Sequence, residues 1–168
     1  ASDNNSGTCP EVVSILNEAN HGHAPGYGDD DWTKRAGDKL RDLFETDCAV
    51  FFVFNGTAAN SLALASMCRS YHAVLCHRMS HVETDECGAP EFFGGGTKVI
   101  GLEGEACLLS ADAVEEAAAR RDDVHFPKVR ALSLTQATEV GTVYGLDDLG
   151  AIGEVCRRNG LRLHLDGA

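Results

Sequence analysis

The chain has 168 residues, 43% apolar and 24% charged, with a formal net charge of −12. That length supports one domain with a real core, and the composition is ordinary for a soluble globular protein. The negative charge argues against nucleic acid and anionic membrane surfaces as partners, and no apolar run reaches membrane-spanning length.

Seven cysteines, at positions 9, 48, 68, 76, 87, 107 and 156, form no CxxC pair and no regular spacing. The pattern implies reduced thiols in a cytoplasmic protein. Cys48, Cys68, Cys76 and Cys156 fall inside apolar patterns and are expected in the core. Cys76, His77, His81 and Cys87 match no standard zinc spacing, so no metal site is expected.

Residues 2–7 are polar and turn-like. Pro10 suits the first turn of a short helix reaching Ala19, with Val12, Ile15, Leu16 and Ala19 on one stripe. A loop rich in Gly and Pro follows, from His21 to Asp31. Trp32 to Thr46 reads as a helix by the spacing of Trp32, Ala36, Leu40, Leu43 and Phe44. Ala49 to Phe54 is short, continuously apolar and β-prone, the pattern of a strand buried on both faces of a parallel sheet.

From there the pattern alternates. A helix runs from about Ala58 to Ser70, and Ala73 to Cys76 is a strand. The polar segment His81 to Pro90 starts a short helix. Lys98 to Leu102 is a strand, Ser110 to Arg121 a helix capped by Ser110, and Val129 to Leu134 a strand. Leu146 to Asn159 is a helix stopped by Gly160, and a last strand starts at Leu161. Strands alternating with helices predict βαβ units, a mostly parallel sheet and a three-layer αβα fold.

Four of these strand ends carry polar chemistry. In Phe54-Asn55-Gly56-Thr57-Ala58-Ala59-Asn60 a strand pattern runs into Gly-Thr and an alanine-rich helix. Gly56 lets the backbone approach a ligand, Thr57 can cap the helix and offer a hydroxyl, and the free first-turn N–H groups form an anion site suited to phosphate. The letters are neither a P-loop nor GxGxxG, and a plain capped helix fits them too. Next, His81 and several carboxylates follow the strand ending at Cys76; a purely structural histidine fits that spacing as well. Gln136, Thr138 and Glu139 follow the strand ending at Leu134. Finally, Leu161, Leu163 and Leu165 alternate with Arg162, His164 and Asp166, and the acid is followed by two small residues. A solvated turn aspartate and a ligand-binding carboxylate are both consistent with that stretch. In parallel α/β sheets ligands bind beyond the carboxyl ends of the strands, so the four ends together imply one pocket.

The segments SDNNSG, PGYGDD, NGTAAN, SHVETDECGAPEFF, LTQATEVGTVY and HLDGA stand in an order that resembles the threonine aldolase group. The likeness is to its low-specificity and phenylserine aldolase branch, within the fold-type I enzymes that use pyridoxal 5′-phosphate (PLP). It implies part of an aspartate aminotransferase-like large domain. Residues 1–31 would be an N-terminal arm, short helix and active-site loop, and residues 32–168 the first part of the PLP-binding large domain.

The resemblance further implies an aldehyde-lyase that cleaves β-hydroxy-α-amino acids (L-threonine, L-allo-threonine or phenylserine-like) to glycine and an aldehyde. The enzyme would be a homodimer or homotetramer with shared active sites. Gly56 and Thr57, with Asn55 nearby, would hold the cofactor phosphate. His81 would stack on the pyridine ring near the substrate hydroxyl, and Asp166 would bind the ring nitrogen. Gln136, Thr138 and Glu139 would lie near the ring substituents. Ser2 would help position the substrate carboxylate, and Tyr27 would line the pocket. The lysines are Lys34, Lys39, Lys98 and Lys128. None has the context of the family's Schiff-base lysine, which follows the HLDGA strand, so the chain reads as an N-terminal portion inactive without the rest. Two other readings are a related β-eliminating lyase and a non-catalytic flavodoxin-like binding module.

Overall fold

The computed structural model describes residues 5–167. It divides into two units, Ala1–Phe52 and Val53–Ala168.

The first unit holds α1 (Pro10–Ala19) and α2 (Asp31–Phe44). Pro10 sits at the start of α1, where its missing N–H is not needed. Asp30 caps α2: its carboxylate accepts from Thr33 Oγ1 at 2.7 Å and from Thr33 N at 2.9 Å. Those bonds hold the Asp30 carboxyl below its ordinary pKa. The expected strand Ala49–Phe54 is not formed. Its backbone carries no ladder among the described residues, and Phe51 and Phe54 are 83% and 97% exposed. A strand exists through its neighbours' N–H and C=O groups, so β-prone letters with no partner remain unpaired chain.

The second unit is a four-stranded sheet of β1 (His72–His77), β2 (Lys98–Leu102), β3 (Lys128–Gln136) and β4 (Arg162–Gly167), in the order β2-β1-β3-β4. Every neighbouring pair is parallel. Five helices connect or flank the strands: α3 (Gly56–Met67), α4 (His81–Thr84), α5 (Ala89–Phe93), α6 (Ala111–Ala119) and α7 (Leu146–Asn159).

Alternation along the strands feeds two cores. Val74 and Cys76 of β1 and Ala131 of β3 pack with Leu64 and Cys68 from the α3 side. Leu75, Leu132 and Leu134 pack on the opposite face with Val114 of α6 and Ile152, Val155 and Cys156 of α7. The result is the expected three-layer αβα arrangement. Gly160 ends α7 in the left-handed region, φ 65°, where a side chain would be strained. Cys68, Cys76 and Cys156 are buried, Cys48 is half-buried, and all seven cysteines are free thiols. Burial pushes the Cys76 thiol up to about 11. Among the described residues no helix is long and apolar enough to cross a membrane.

The α6–α7 face supplies a stability test. Ile152 is fully buried, so Ile152→Ala should lower unfolding free energy by about 2–5 kcal/mol. Tyr144 Oη accepts from the buried Leu109 N at 2.9 Å, so Tyr144→Phe should lower it by about 1–3 kcal/mol. Urea unfolding of the full-length protein measures both; unchanged midpoints would contradict this account of the core.

Candidate functional site

The carboxyl ends of the parallel strands deliver the polar residues to one edge. β1 ends at His77, which is 6% exposed and tied into the edge by both ring nitrogens. Its Nδ1 accepts from Met79 N at 3.1 Å, which leaves Nε2–H to donate to Gly104 O at 3.2 Å. Gly104 has no substitute there, because a Cβ would fall 2.1 Å from Leu108 O. The chain then turns through Ser80 and starts α4 at His81.

On the neighbouring side, α3 begins at Gly56, with Asn55 as its cap: Asn55 Oδ1 accepts from Ala58 N at 2.9 Å. The cap is therefore Asn55 and not Thr57. The helix starts before Thr57, so Thr57 already has helical backbone and presents its hydroxyl from the first turn. Space beside Gly56 is open, with nothing within 4 Å of where a Cβ would stand.

One turn further along α3 lies Asn60, 5% exposed. Its Nδ2 donates to Glu86 Oε1 at 2.7 Å and to Asp166 Oδ2 at 3.1 Å. Glu86 Oε1 is also 3.0 Å from His81 Nδ1. A continuous polar chain thus runs from His81 through Glu86 and Asn60 to Asp166, joining α4, the loop after it, α3 and β4. Glu86 is 3% exposed, and its other oxygen, Oε2, is buried without a partner. The hydrogen bond to Glu86 raises the His81 pKa above the ordinary imidazole value, and the charges of Glu86, Glu139 and Asp85 act in the same direction.

Asp166 stands near the end of β4, opposite Thr135 of β3. Two residues earlier on the same face is His164, 8% exposed, with Nδ1 2.9 Å from Ser133 Oγ. Burial pushes the His164 pKa down, against the opposing pull of Asp166 and Glu86. After β3 the chain folds tightly. Gln136 Oε1 accepts from Tyr144 N at 3.1 Å, and Thr138 Oγ1 lies 2.5 Å from Thr142 Oγ1. Glu139 is exposed, and with Thr138, Ser80, Ser133 and Thr135 it lines a small cavity at this edge.

Of the residues singled out in the sequence, Asn55, Gly56 and Thr57 begin α3, and His81 and Asp166 are linked through Glu86 and Asn60. Gln136 Oε1 and Thr138 Oγ1 are bonded within the loop itself. Tyr27 belongs to the first unit and is fully exposed. Ser2 lies outside the described residues. Asn60 and Glu86 were not foreseen individually. The signal for Asn60 was a polar amide one turn into an alanine- and leucine-rich helix. Glu86 was one of three carboxylates in VETDEC, with nothing local to separate it from Glu83 and Asp85. Among the described residues no group of three or more His, Cys, Asp or Glu is placed to hold a metal ion.

The sequence profile of the beta-eliminating lyases matches residues 1–168. The chain belongs to the beta-eliminating lyase family. Within that family it is 58% identical, over all 168 residues, to the low specificity L-threonine aldolase of a Pseudomonas species, covering 49% of that protein. The solved threonine aldolase of Leishmania major superposes with a TM-score of 0.94 at 30% identity, covering 100% of this chain and 49% of that one. The serine palmitoyltransferase of S. paucimobilis, 17% identical, shares the fold with a TM-score of 0.70 over 95% of this chain and 39% of its own. The fold is thus that of the fold-type I PLP enzymes. This chain spans about half the length of the curated relatives it matches.

The buried edge histidine of this family member gives a pH test. The folded His164 pKa lies below its unfolded value, so between the two the unfolded chain binds more protons. Its contribution to stability is complete above the unfolded value, about 6.5, and is lost as pH falls below it. The expected outcome is a steeper acid loss of thermal stability in wild type than in His164→Asn, read as melting temperature against pH.

Proposed function

We propose that the full-length protein is a PLP-dependent aldehyde-lyase. It cleaves the Cα–Cβ bond of L-threonine, L-allo-threonine or a phenylserine-like β-hydroxy-α-amino acid to give glycine and an aldehyde. The observation that carries this reading is 58% identity, over all 168 residues of the chain, to a low specificity L-threonine aldolase.

The residues at the strand edge fit the cofactor. The open space at Gly56 and the N–H groups of Gly56 and Thr57 at the start of α3 suit a phosphate. Asp166 offers a carboxylate at the same edge, steadied by Asn60. When bound, PLP supplies the sink for the electron pair released as the Cα–Cβ bond breaks. The chain's own residues do the rest. Gly56 and Thr57, with Asn55 shaping the turn, hold the phosphate. The Asp166 carboxylate would bind the ring nitrogen and favour its protonated form, because a neighbouring negative charge favours the cationic state. His81 would lie against the ring and take the β-hydroxyl proton, directly or through an oriented water. Gln136, Thr138 and Glu139 border the ring substituents.

The wider assignments belong to the same proposal. Ser2 helps position the substrate carboxylate and Tyr27 lines the pocket, in a homodimer or homotetramer with shared sites. Residues 1–31 form the arm and active-site loop, and residues 32–168 begin the cofactor domain. Seven free thiols support a cytoplasmic location.

The family's name favours one competing reading, β-elimination. Product analysis of the full-length protein with L-threonine and phenylserine separates the two. Glycine and aldehyde are expected; ammonia and a keto acid would overturn the assignment. Asp166→Asn should retain part of its cofactor binding and lose about 100-fold or more in kcat. His81→Asn should lower kcat and remove the acid limb of the kcat/KM profile. Near-normal turnover in either variant would refute that residue's role.

A further inference from the structure

We infer that Glu86 is a positioning residue for this site: its buried carboxylate holds the His81 ring with the proton on Nδ1, leaving Nε2 as the proton-accepting end. The inference rests on the proposed role of His81 and adds a residue to it.

The geometry points one way. Glu86 Oε1 receives both His81 Nδ1 at 3.0 Å and Asn60 Nδ2 at 2.7 Å. An ionised carboxylate only accepts, so the imidazole nitrogen facing it carries hydrogen, and in the neutral ring the lone pair then sits on Nε2. Asn60 fixes the carboxylate in turn. Both partners of its amide nitrogen are carboxylate oxygens, so only the NH2 end fits there, one hydrogen going to Glu86 and one to Asp166. The carboxylate that orients the proposed base and the carboxylate proposed for the ring nitrogen are thereby registered to each other through one side chain.

A purely structural glutamate would be expected to use its oxygens on nearby backbone donors. Glu86 instead reaches across to α3 and to His81 with one oxygen and leaves Oε2 buried and unpartnered. A buried carboxylate oxygen without a partner is costly, so the placement of Glu86 is set by the contacts its other oxygen makes. The other charges facing His81 are Asp85 beside it and Glu139 from the loop after β3. Among the described residues Glu86 alone bonds the ring, and that bond selects the tautomer.

The experiment is nitrogen NMR of ring-labelled histidine in the full-length apo-protein, wild type and Glu86→Gln, followed by kcat/KM against pH. In wild type the neutral His81 ring is expected to carry its hydrogen on Nδ1. In Glu86→Gln the hydrogen redistributes between the two nitrogens. The midpoint falls, and the acid limb of kcat/KM moves down with it. A structural role would instead lower the melting temperature and leave the midpoint in place. A wild-type ring protonated on Nε2 overturns the proposal, even if Glu86→Gln does not fold. So does an unchanged midpoint in a folded Glu86→Gln. If the ring behaves as stated but wild type yields no glycine and aldehyde, the proposed reaction fails while the positioning role stands.

Discussion

The amide of Asn60 is the contact on which the site's arrangement depends. Two carboxylates, Glu86 from the α4–α5 loop and Asp166 from β4, approach one nitrogen whose two hydrogens satisfy one oxygen of each. Without that donor pair, two like charges would face each other at a partly buried edge, with too few partners to hold either in place. The requirement reaches back to the start of α3. Because the helix begins at Gly56, Asn60 falls one turn in, on the side of the sheet edge. The same helix thus offers its open first turn to an anion and its next turn to the carboxylates.

The sheet makes this possible because its central strands, β1 and β3, are covered on both faces. α3 covers one face, and α6 and α7 cover the other, so these strands present their polar groups at their ends. Three histidines near that edge show how surroundings divide one residue type into separate jobs. His77 is locked between Met79 N and Gly104 O, a structural clamp. His164, beside Ser133, has its pKa pushed down by burial. Half-buried His81 is bonded to Glu86 and shifts the opposite way, toward the protonated form. Fold and site serve the same end in the proposed reaction: a base and an acidic anchor held at fixed positions around a cofactor.

Much of this was legible in the letters. Helices α6 and α7 and strands β1 to β4 follow from periodicity and punctuation, such as Ser110 before α6 and Gly160 after α7. The edge residues were legible because each follows a strand pattern directly. Ala49–Phe54 misled, because continuous apolar letters report burial and β propensity but not whether a neighbouring strand is present. Thr57 misled by two residues: the helix starts at Gly56, and Asn55 has its side-chain oxygen in place to cap it. Asn60 and Glu86 were hidden in plain motifs, since they lie 26 residues apart and their meeting depends on how α3 packs against the α4–α5 segment.

By itself the sequence determined the alternation of strands and helices, the parallel sheet, and the delivery of His81 and Asp166 to strand ends. These follow from local spacing, in which each residue answers only to its near neighbours along the chain. Tertiary structure alone decided which of several carboxylates His81 meets, which side chain joins that carboxylate to Asp166, and which histidine is lifted or lowered. Those outcomes depend on burial and on contacts between distant segments, and neither quantity is written in any short run of letters.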